Sequence, residues 1–309
     1  MDVILHLGAH RTGATSFQRY MAQARAEGVA FWGPPQTRGG MLDGVHDYGA
    51  SAKTLARLQG RLALRMAQTK ARGAEVLVIS DAALIGPVPG VRGAPSLYPQ
   101  IGTRMARIDA AFGGRIGSVA LQIRALDGFW ASVMALSLAR GALVPTPEYF
   151  ARIAQDTRSW RDVIVELSCA MPDVAVVVTS FEQFAQRPDL VASHLAHRAM
   201  PCMPSGGIWA NRSLALPQLR AALACTDPSQ LRHLPEAEGR WQPFSSAQRQ
   251  TLRALYAADL AWLRGGADGL ARYHEHPTPM SAARADGAAG QTRGSKDNDI
   301  QERDMARPC

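Results

Sequence analysis

Short apolar runs alternate with longer amphipathic stretches through the first half of the chain. Between the apolar runs, hydrophobic residues recur at the spacing of one helix face, which predicts helices over 15–27, 50–72, 99–112 and 127–140. The runs themselves are rich in β-branched residues and have the length of buried strands, at 3–7, 75–80, 115–123 and 174–179. This alternation predicts a three-layer α/β/α domain around a central parallel sheet, with ligands bound at the carboxyl ends of the strands.

The second half of the chain is mostly helical in its pattern. Helices are predicted over 159–171, 188–198, 216–224 and 245–264. Two irregular stretches, 33–49 and 86–99, are rich in proline and glycine and are long enough to flank a binding site. From 275 to 309 apolar residues are scarce, which predicts a disordered tail after a single domain of residues 1–274.

The first predicted strand ends in a glycine-bounded turn, Gly8 to Gly13, that leads into a helix. Such a turn directs backbone N–H groups at an anion, and the helix points the positive end of its dipole at the same place. Hydroxyl groups from three neighbouring residues add donors, so the segment predicts a phosphate cradle formed by Gly8, Thr12, Gly13, Ala14, Thr15 and Ser16. Its glycine spacing is that of a Walker loop, but Ala14 replaces the required lysine. A Mg²⁺-dependent kinase or GTPase is therefore disfavoured.

A second anion site is predicted at the end of the run 115–123. Arg124 follows this strand, and Ser132 lies eight residues further along, on the next predicted helix. A guanidinium group and a hydroxyl group in these positions can converge on one phosphate.

The segment from His10 to Gln18, His-Arg-Thr-Gly-Ala-Thr-Ser-Phe-Gln, resembles the 5′-phosphosulfate-binding loop of bacterial sulfotransferases. The Arg124 and Ser132 spacing is similar to that family's site for the 3′-phosphate of 3′-phosphoadenosine 5′-phosphosulfate (PAPS). Looser likeness covers about residues 3–265. The resemblance implies a P-loop NTPase-like fold, PAPS as co-substrate and Arg11 in place of the family's catalytic lysine. An arginine can stabilise the leaving phosphate, but it does not readily donate a proton.

The base that would accept the acceptor's proton has three candidates. Asp81 ends the strand between the two anion sites and is the first choice, although it also suits a helix N-cap. His10 in the loop is the second choice, and His46 in the first long loop is the third. By resemblance, the segment Asn211 to Ser213 and one of two loop tryptophans, Trp209 or Trp241, can approach the nucleotide.

The charge and composition of the sequence limit which ligands and which location are expected. The net charge is +8, but the basic residues are nearly all arginine, which favours a coding bias over a nucleic-acid surface. His194 and His197 share a helix face without further ligands, and the four cysteines lack metal-ligand spacing, so no metal is expected. No run is long enough to span a membrane, and a cytoplasmic location is expected.

Two functions remain open from the sequence. The first is a sulfotransferase that moves the sulfuryl group of PAPS to a hydroxyl or amine of a carbohydrate, a lipid or another small molecule. The second is a catalytically weak nucleotide-binding protein with the same fold, which Arg11, Ala14 and Ala82 each permit.

Overall fold

The chain folds around one sheet of six parallel strands. The computed structural model describes residues 1–45, 51–90, 95–203, 207–208 and 210–276. The strands are β1 (Asp2–His6), β2 (Val29–Trp32), β3 (Val76–Ser80), β4 (Ser118–Ile123), β5 (Ala175–Ser180) and β6 (Arg272–His274). Their order across the sheet is β2-β3-β1-β4-β5-β6, and every pair of neighbours is parallel.

Helices follow most of the strands. Those of the described residues are α1 (Ala14–Gln23), α2 (Pro34–Gln36), α3 (Ala52–Ala71), α4 (Ile101–Phe112), α5 (Leu126–Leu138), α6 (Pro147–Gln155), α7 (Trp160–Ala170), α8 (Phe181–Phe184), α9 (Pro188–Ala196), α10 (Leu216–Thr226) and α11 (Ser246–Arg264). A π turn (Thr37–Met41) follows α2, and short 3₁₀ turns (Pro228–His233 and Ala267–Gly269) follow α10 and α11.

Alternate strand residues belong to two separate cores. In β1, Val3 and Leu5 enter the larger core, whereas Ile4 enters the smaller one. The larger core lies under α3, α4, α5, α7 and α11, and the smaller one lies under α1 and α9. Because both faces of the sheet are covered, the strands read as continuous apolar runs. The predicted three-layer α/β/α class is confirmed.

The order of the strands places a crevice between β1 and β4. The chain leaves β1 through α1 towards β2 on one side of the sheet, and it leaves β4 towards β5 on the other side. Strand connections that diverge in this way leave a crevice beyond the carboxyl ends of the two strands, which is the usual ligand site of an open α/β sheet. The predicted cradle follows β1, and Arg124 follows β4, so both lie at this crevice.

The four predicted strands are present, and β2 and β6 are additional. β2 has four residues and β6 has three, with Arg272 and His274 in a segment that lacks an apolar run. α6 was also missed. The expected tail lies outside the described residues from 277 onward, so it stays a prediction, as does the single-domain boundary. In the part of the chain that the structure describes, no helix has the length and apolarity needed to cross a membrane.

A buried carboxylate joins α11 to the start of α7. Asp259 is 3% exposed and accepts hydrogen bonds from the Ser159 hydroxyl at 2.6 Å and from the Trp160 backbone N–H at 3.0 Å. We expect Asp259→Ala to lower the free energy of unfolding by about 2–4 kcal/mol, because buried donors lose their acceptor. Urea denaturation measures this change. The control Glu236→Ala, which removes a carboxylate whose side chain is 84% exposed, should change stability far less. Equal losses would contradict this account.

Candidate functional site

The turn after β1 is left-handed at three positions. Gly8 has φ +46°, Arg11 has φ +64° and Gly13 has φ +93°. A Cβ atom on Gly8 would lie 2.7 Å from Cε1 of His6 and 2.8 Å from Cβ of Ala14. A side chain at Gly8 therefore meets both strain and collision, and the turn needs glycine there.

The hydroxyl groups of the turn have different roles. The Thr12 hydroxyl donates to the carbonyl oxygen of Ala9 at 2.6 Å, which uses its proton to close the turn. The Ser16 oxygen accepts from the Ala210 backbone N–H at 3.1 Å, and the Thr15 oxygen accepts from the Asn211 side-chain amide at 3.0 Å. Ser16 and Thr15 thus retain their own protons for an anion.

Arg11 holds two serines from distant parts of the chain. Its Nε donates to Oγ of Ser132 on α5 at 2.9 Å, and a terminal nitrogen donates to Oγ of Ser213 at 2.9 Å. The two serine oxygens lie 2.6 Å apart. The structure therefore brings Ser132 and the predicted Asn211 to Ser213 segment to the end of the Arg11 side chain.

Arg124 lies against the same loop. Its guanidinium donates to the backbone carbonyl of Arg11 at 2.8 Å and lies 4.4 Å from the centre of the Phe181 ring. These contacts fix the guanidinium plane at the mouth of the crevice between β1 and β4. Arg124 and Ser132 line one cavity, as the sequence predicts, although Ser132 bonds directly to Arg11.

We call this space the strand-end cavity. It has a volume of about 460 Å³, which is within the range of small-molecule sites of roughly 300–1,000 Å³. Among the described residues that line it there is no aspartate or glutamate, and the basic ones are Arg11, Arg38, Arg124, Arg140, Arg212 and Arg240. A cavity with this lining is suited to a polyanion.

Burial and mutual repulsion act on these arginines. Burial, together with the charges of Arg124, Arg140 and Arg240, lowers the pKa of Arg11 to about 10, so it stays charged at neutral pH. Burial also lowers the pKa of Arg124. Among the described residues, no carboxylate lies within 4 Å of the guanidinium groups of Arg11, Arg124, Arg140 or Arg240. An anion in the cavity would relieve this repulsion.

His10 has its tautomer set by Tyr98. The Tyr98 hydroxyl oxygen accepts from the backbone N–H of His10 at 2.9 Å and lies 3.0 Å from Nδ1 of the same residue. Tyr98 is 3% exposed, and within the described residues Nδ1 is the acceptor in reach of its single proton. The phenol therefore donates to Nδ1, and the proton of the neutral ring is on Nε2.

Tyr98 is held in turn by Arg158. The backbone of Tyr98 is left-handed, with φ +46°. Arg158 donates to the carbonyl oxygens of Leu97 at 2.6 Å and Tyr98 at 3.0 Å, and it pairs with Glu166 of α7 at 2.6 Å. These contacts fix the strained Tyr98 and so the ring of His10.

Asp81 is tied down on both of its oxygens. It accepts from the Thr37 hydroxyl at 2.7 Å, from the Ala83 N–H at 3.0 Å and from two nitrogens of Arg38 at 2.9 and 2.5 Å. Burial opposes its ionisation, but these hydrogen bonds outweigh burial and lower the pKa of Asp81 below its usual value. The four acceptor positions of the carboxylate are filled. The identity of a base stays a prediction, and this geometry favours neither Asp81 nor His10 for that role.

The other sequence candidates divide into three groups. His46 and Trp209 lie outside the described residues. Trp241 is buried beside Phe150, with ring centres 5.7 Å apart, and belongs to the core. The ring of His194 is tilted against that of His274, at 4.7 Å between ring centres, and the described residues contain no group of three or more ligand side chains arranged for a metal.

Sequence reasoning missed several residues of the cavity. Arg140 lies two residues beyond the end of α5, and Arg240 lies in an irregular segment that pairs with Ala215. In an arginine-rich sequence neither position has a distinguishing pattern. Tyr98 was equally hidden, because its role depends on contact with a loop 88 residues away.

No model in a scan of protein families matches the chain, and a search of curated proteins finds no match.

The His10 ring is expected to stay neutral well below pH 6. Burial and the charge of Arg140 lower its pKa to about 4, although Asp81 raises it. Nitrogen-15 NMR of labelled protein should show the proton on Nε2 and no titration between pH 8 and pH 5. In Tyr98→Phe the two tautomers should mix, because Nδ1 loses its donor. A protonated ring at pH 6, or an unchanged tautomer in Tyr98→Phe, would contradict this prediction.

Proposed function

We propose that the protein is a sulfotransferase that transfers the sulfuryl group of PAPS to an acceptor. The observation that carries the proposal is the strand-end cavity, in which a phosphate cradle and Arg124 converge at one crevice without a lining carboxylate among the described residues. The loop from His10 to Gln18 resembles that of sulfotransferases, and this resemblance is the reason for proposing PAPS as the anion. The proposal also expects no metal cofactor and a cytoplasmic protein.

The residues of the cavity would divide the charges of PAPS between them. The backbone N–H groups of Gly13 to Ser16 and the hydroxyls of Thr15 and Ser16 would hold the 5′-phosphosulfate at the start of α1. Arg124 and Ser132 would hold the 3′-phosphate, with Ser213 beside them.

Arg11 would act on the leaving group. In the transfer, an acceptor oxygen or nitrogen forms a bond to sulfur, while the bond between sulfur and the bridging oxygen breaks and leaves its electron pair on the phosphate of 3′,5′-adenosine bisphosphate (PAP). Arg11 would stabilise the charge that grows on that oxygen. Because Asp81 is saturated and His10 presents an N–H group, the acceptor's proton is assigned to solvent at the open mouth of the cavity.

A binding protein without efficient turnover is the second candidate. The contact that favours it is that of Arg11 with Ser132 and Ser213, which draws both hydroxyl oxygens onto the guanidinium group. These bonds use two of the five N–H donors of Arg11 and tie its guanidinium group to the protein. A protein that only binds an anion can keep Arg11 in this position.

The 3′-phosphate is expected to select the ligand through Arg124. We expect Arg124→Ala to weaken PAP by roughly 10- to 100-fold, because a charge-assisted hydrogen bond is lost. Its affinity for adenosine 5′-phosphosulfate, which has no 3′-phosphate, should change little. Isothermal titration calorimetry measures both. The control Arg65→Ala, at an exposed arginine of α3 outside the cavity, should alter neither. Equal weakening of the two ligands, or no binding of PAP to the wild type, would overturn the assignment.

Turnover is expected to depend on Arg11 more than binding does. Arg11→Ala should slow the release of PAP from PAPS by on the order of 100- to 1,000-fold while weakening PAP far less, because the charge on the bridging oxygen develops in the transition state. Arg11→Lys should retain the activity. A first assay follows PAPS hydrolysis, with water as acceptor. If the wild type and Arg11→Lys bind PAP but neither releases it from PAPS above the buffer rate, the binding protein is the better description.

A further inference from the structure

The strand-end cavity has more positive charge than its cradle requires. If PAPS occupies the cradle, Arg11 and Arg124 contact its phosphates. Arg240 also lines the cavity, and its charge lowers the pKa of both Arg11 and Arg124. Arg140 lines the cavity as well, and its charge lowers the pKa of both His10 and Arg11, with a larger effect at His10 than that of any other charge.

Among the described residues, no carboxylate pairs with Arg140. Arg38, the other arginine at the His10 end, is paired with Asp81 through two nitrogens. No such pair forms at Arg140, whose exposed side chain has neither an ion pair nor a side-chain hydrogen bond with the described residues.

A neutral donor stands at the same end of the cavity. With Nδ1 of His10 accepting from Tyr98, the proton on Nε2 is available to a ligand. A cation and a fixed N–H donor together match an oxyanion, which offers several acceptor lone pairs. A neutral sugar or alcohol would leave Arg140 without a partner.

We propose that the His10 end of the strand-end cavity is an anion subsite, in which Arg140 and the Nε2–H of His10 bind a carboxylate or sulfate group of the acceptor. This inference rests on the proposed function only where it identifies the bound molecule as the acceptor of the transfer. The subsite itself rests on the cavity and on the two side chains. Carboxylate and sulfate share the recognition chemistry, and the experiment separates them.

The test measures binding of three methyl glycosides that differ only at C6: methyl glucoside, methyl glucuronide and methyl glucoside 6-sulfate. Each is titrated into the full-length protein, with and without saturating PAP, at constant ionic strength and with detection by NMR. We expect one or both anionic sugars to bind at least about tenfold tighter than methyl glucoside. Arg140→Gln should remove that preference, and Arg140→Lys should retain part of it. Arg65→Ala serves as the control for the loss of an exposed positive charge.

The outcomes distinguish this inference from the proposed function. A preference that disappears in Arg140→Gln while the affinity for PAP is unchanged supports the subsite, and the preferred sugar identifies the anion. No anion preference in the wild type, or an equal preference in Arg140→Gln, overturns it. A large loss of PAP affinity in Arg140→Gln also overturns it, because Arg140 would then belong to the nucleotide site. If PAP fails to bind but the Arg140-dependent preference is present without it, the PAPS proposal fails and the anion subsite stands.

Discussion

The crowding of Gly8 between His6 and Ala14 is the constraint on which the site depends. The turn after β1 lies directly against the sheet, with no room for a single extra methyl group. This contact fixes where α1 begins, so the backbone N–H groups at its start and the hydroxyls of Thr15 and Ser16 face the crevice beside β4. The strand order then brings Arg124 to the other side of that crevice. The proposed anion site is thus a product of backbone packing before any side chain contributes charge.

Neutral groups of the protein, rather than carboxylates, hold Arg11 and Arg124 in the strand-end cavity. Arg11 is held by two serine oxygens, and Arg124 is held by a carbonyl oxygen and the face of Phe181. Neutral partners keep each guanidinium group in place without cancelling its charge. An aspartate in their position would weaken the binding of an anion, because the ligand would then compete with a permanent carboxylate.

Features of the fold and the site that depend on residues close in sequence could be predicted, whereas features that depend on tertiary contacts could not. The strands β1, β3, β4 and β5 and the turn after β1 were predictable, because apolar runs and glycine spacing are local patterns. β2 and β6 were not, since four and three residues leave too short a pattern and the sheet supplies their stability. Asp81 was placed correctly at the end of a strand, but its saturation by Thr37 and Arg38 is a tertiary contact across more than 40 residues. Likewise, nothing in the sequence around His10 indicates that Tyr98 holds it.

The link from Arg158 to Tyr98 makes the proton position on a cavity residue a property of tertiary packing. His10 receives its tautomer from a phenol whose strained backbone is fixed by an arginine, and that arginine is anchored to a carboxylate on α7. None of these three supports lines the cavity. A substitution at Glu166 would therefore alter the cavity without lying in it, because a loosened Tyr98 would no longer keep the ring proton of His10 on Nε2. A substitution at Glu166 can then change which ring nitrogen of His10 accepts and which donates, while every residue that lines the cavity stays the same.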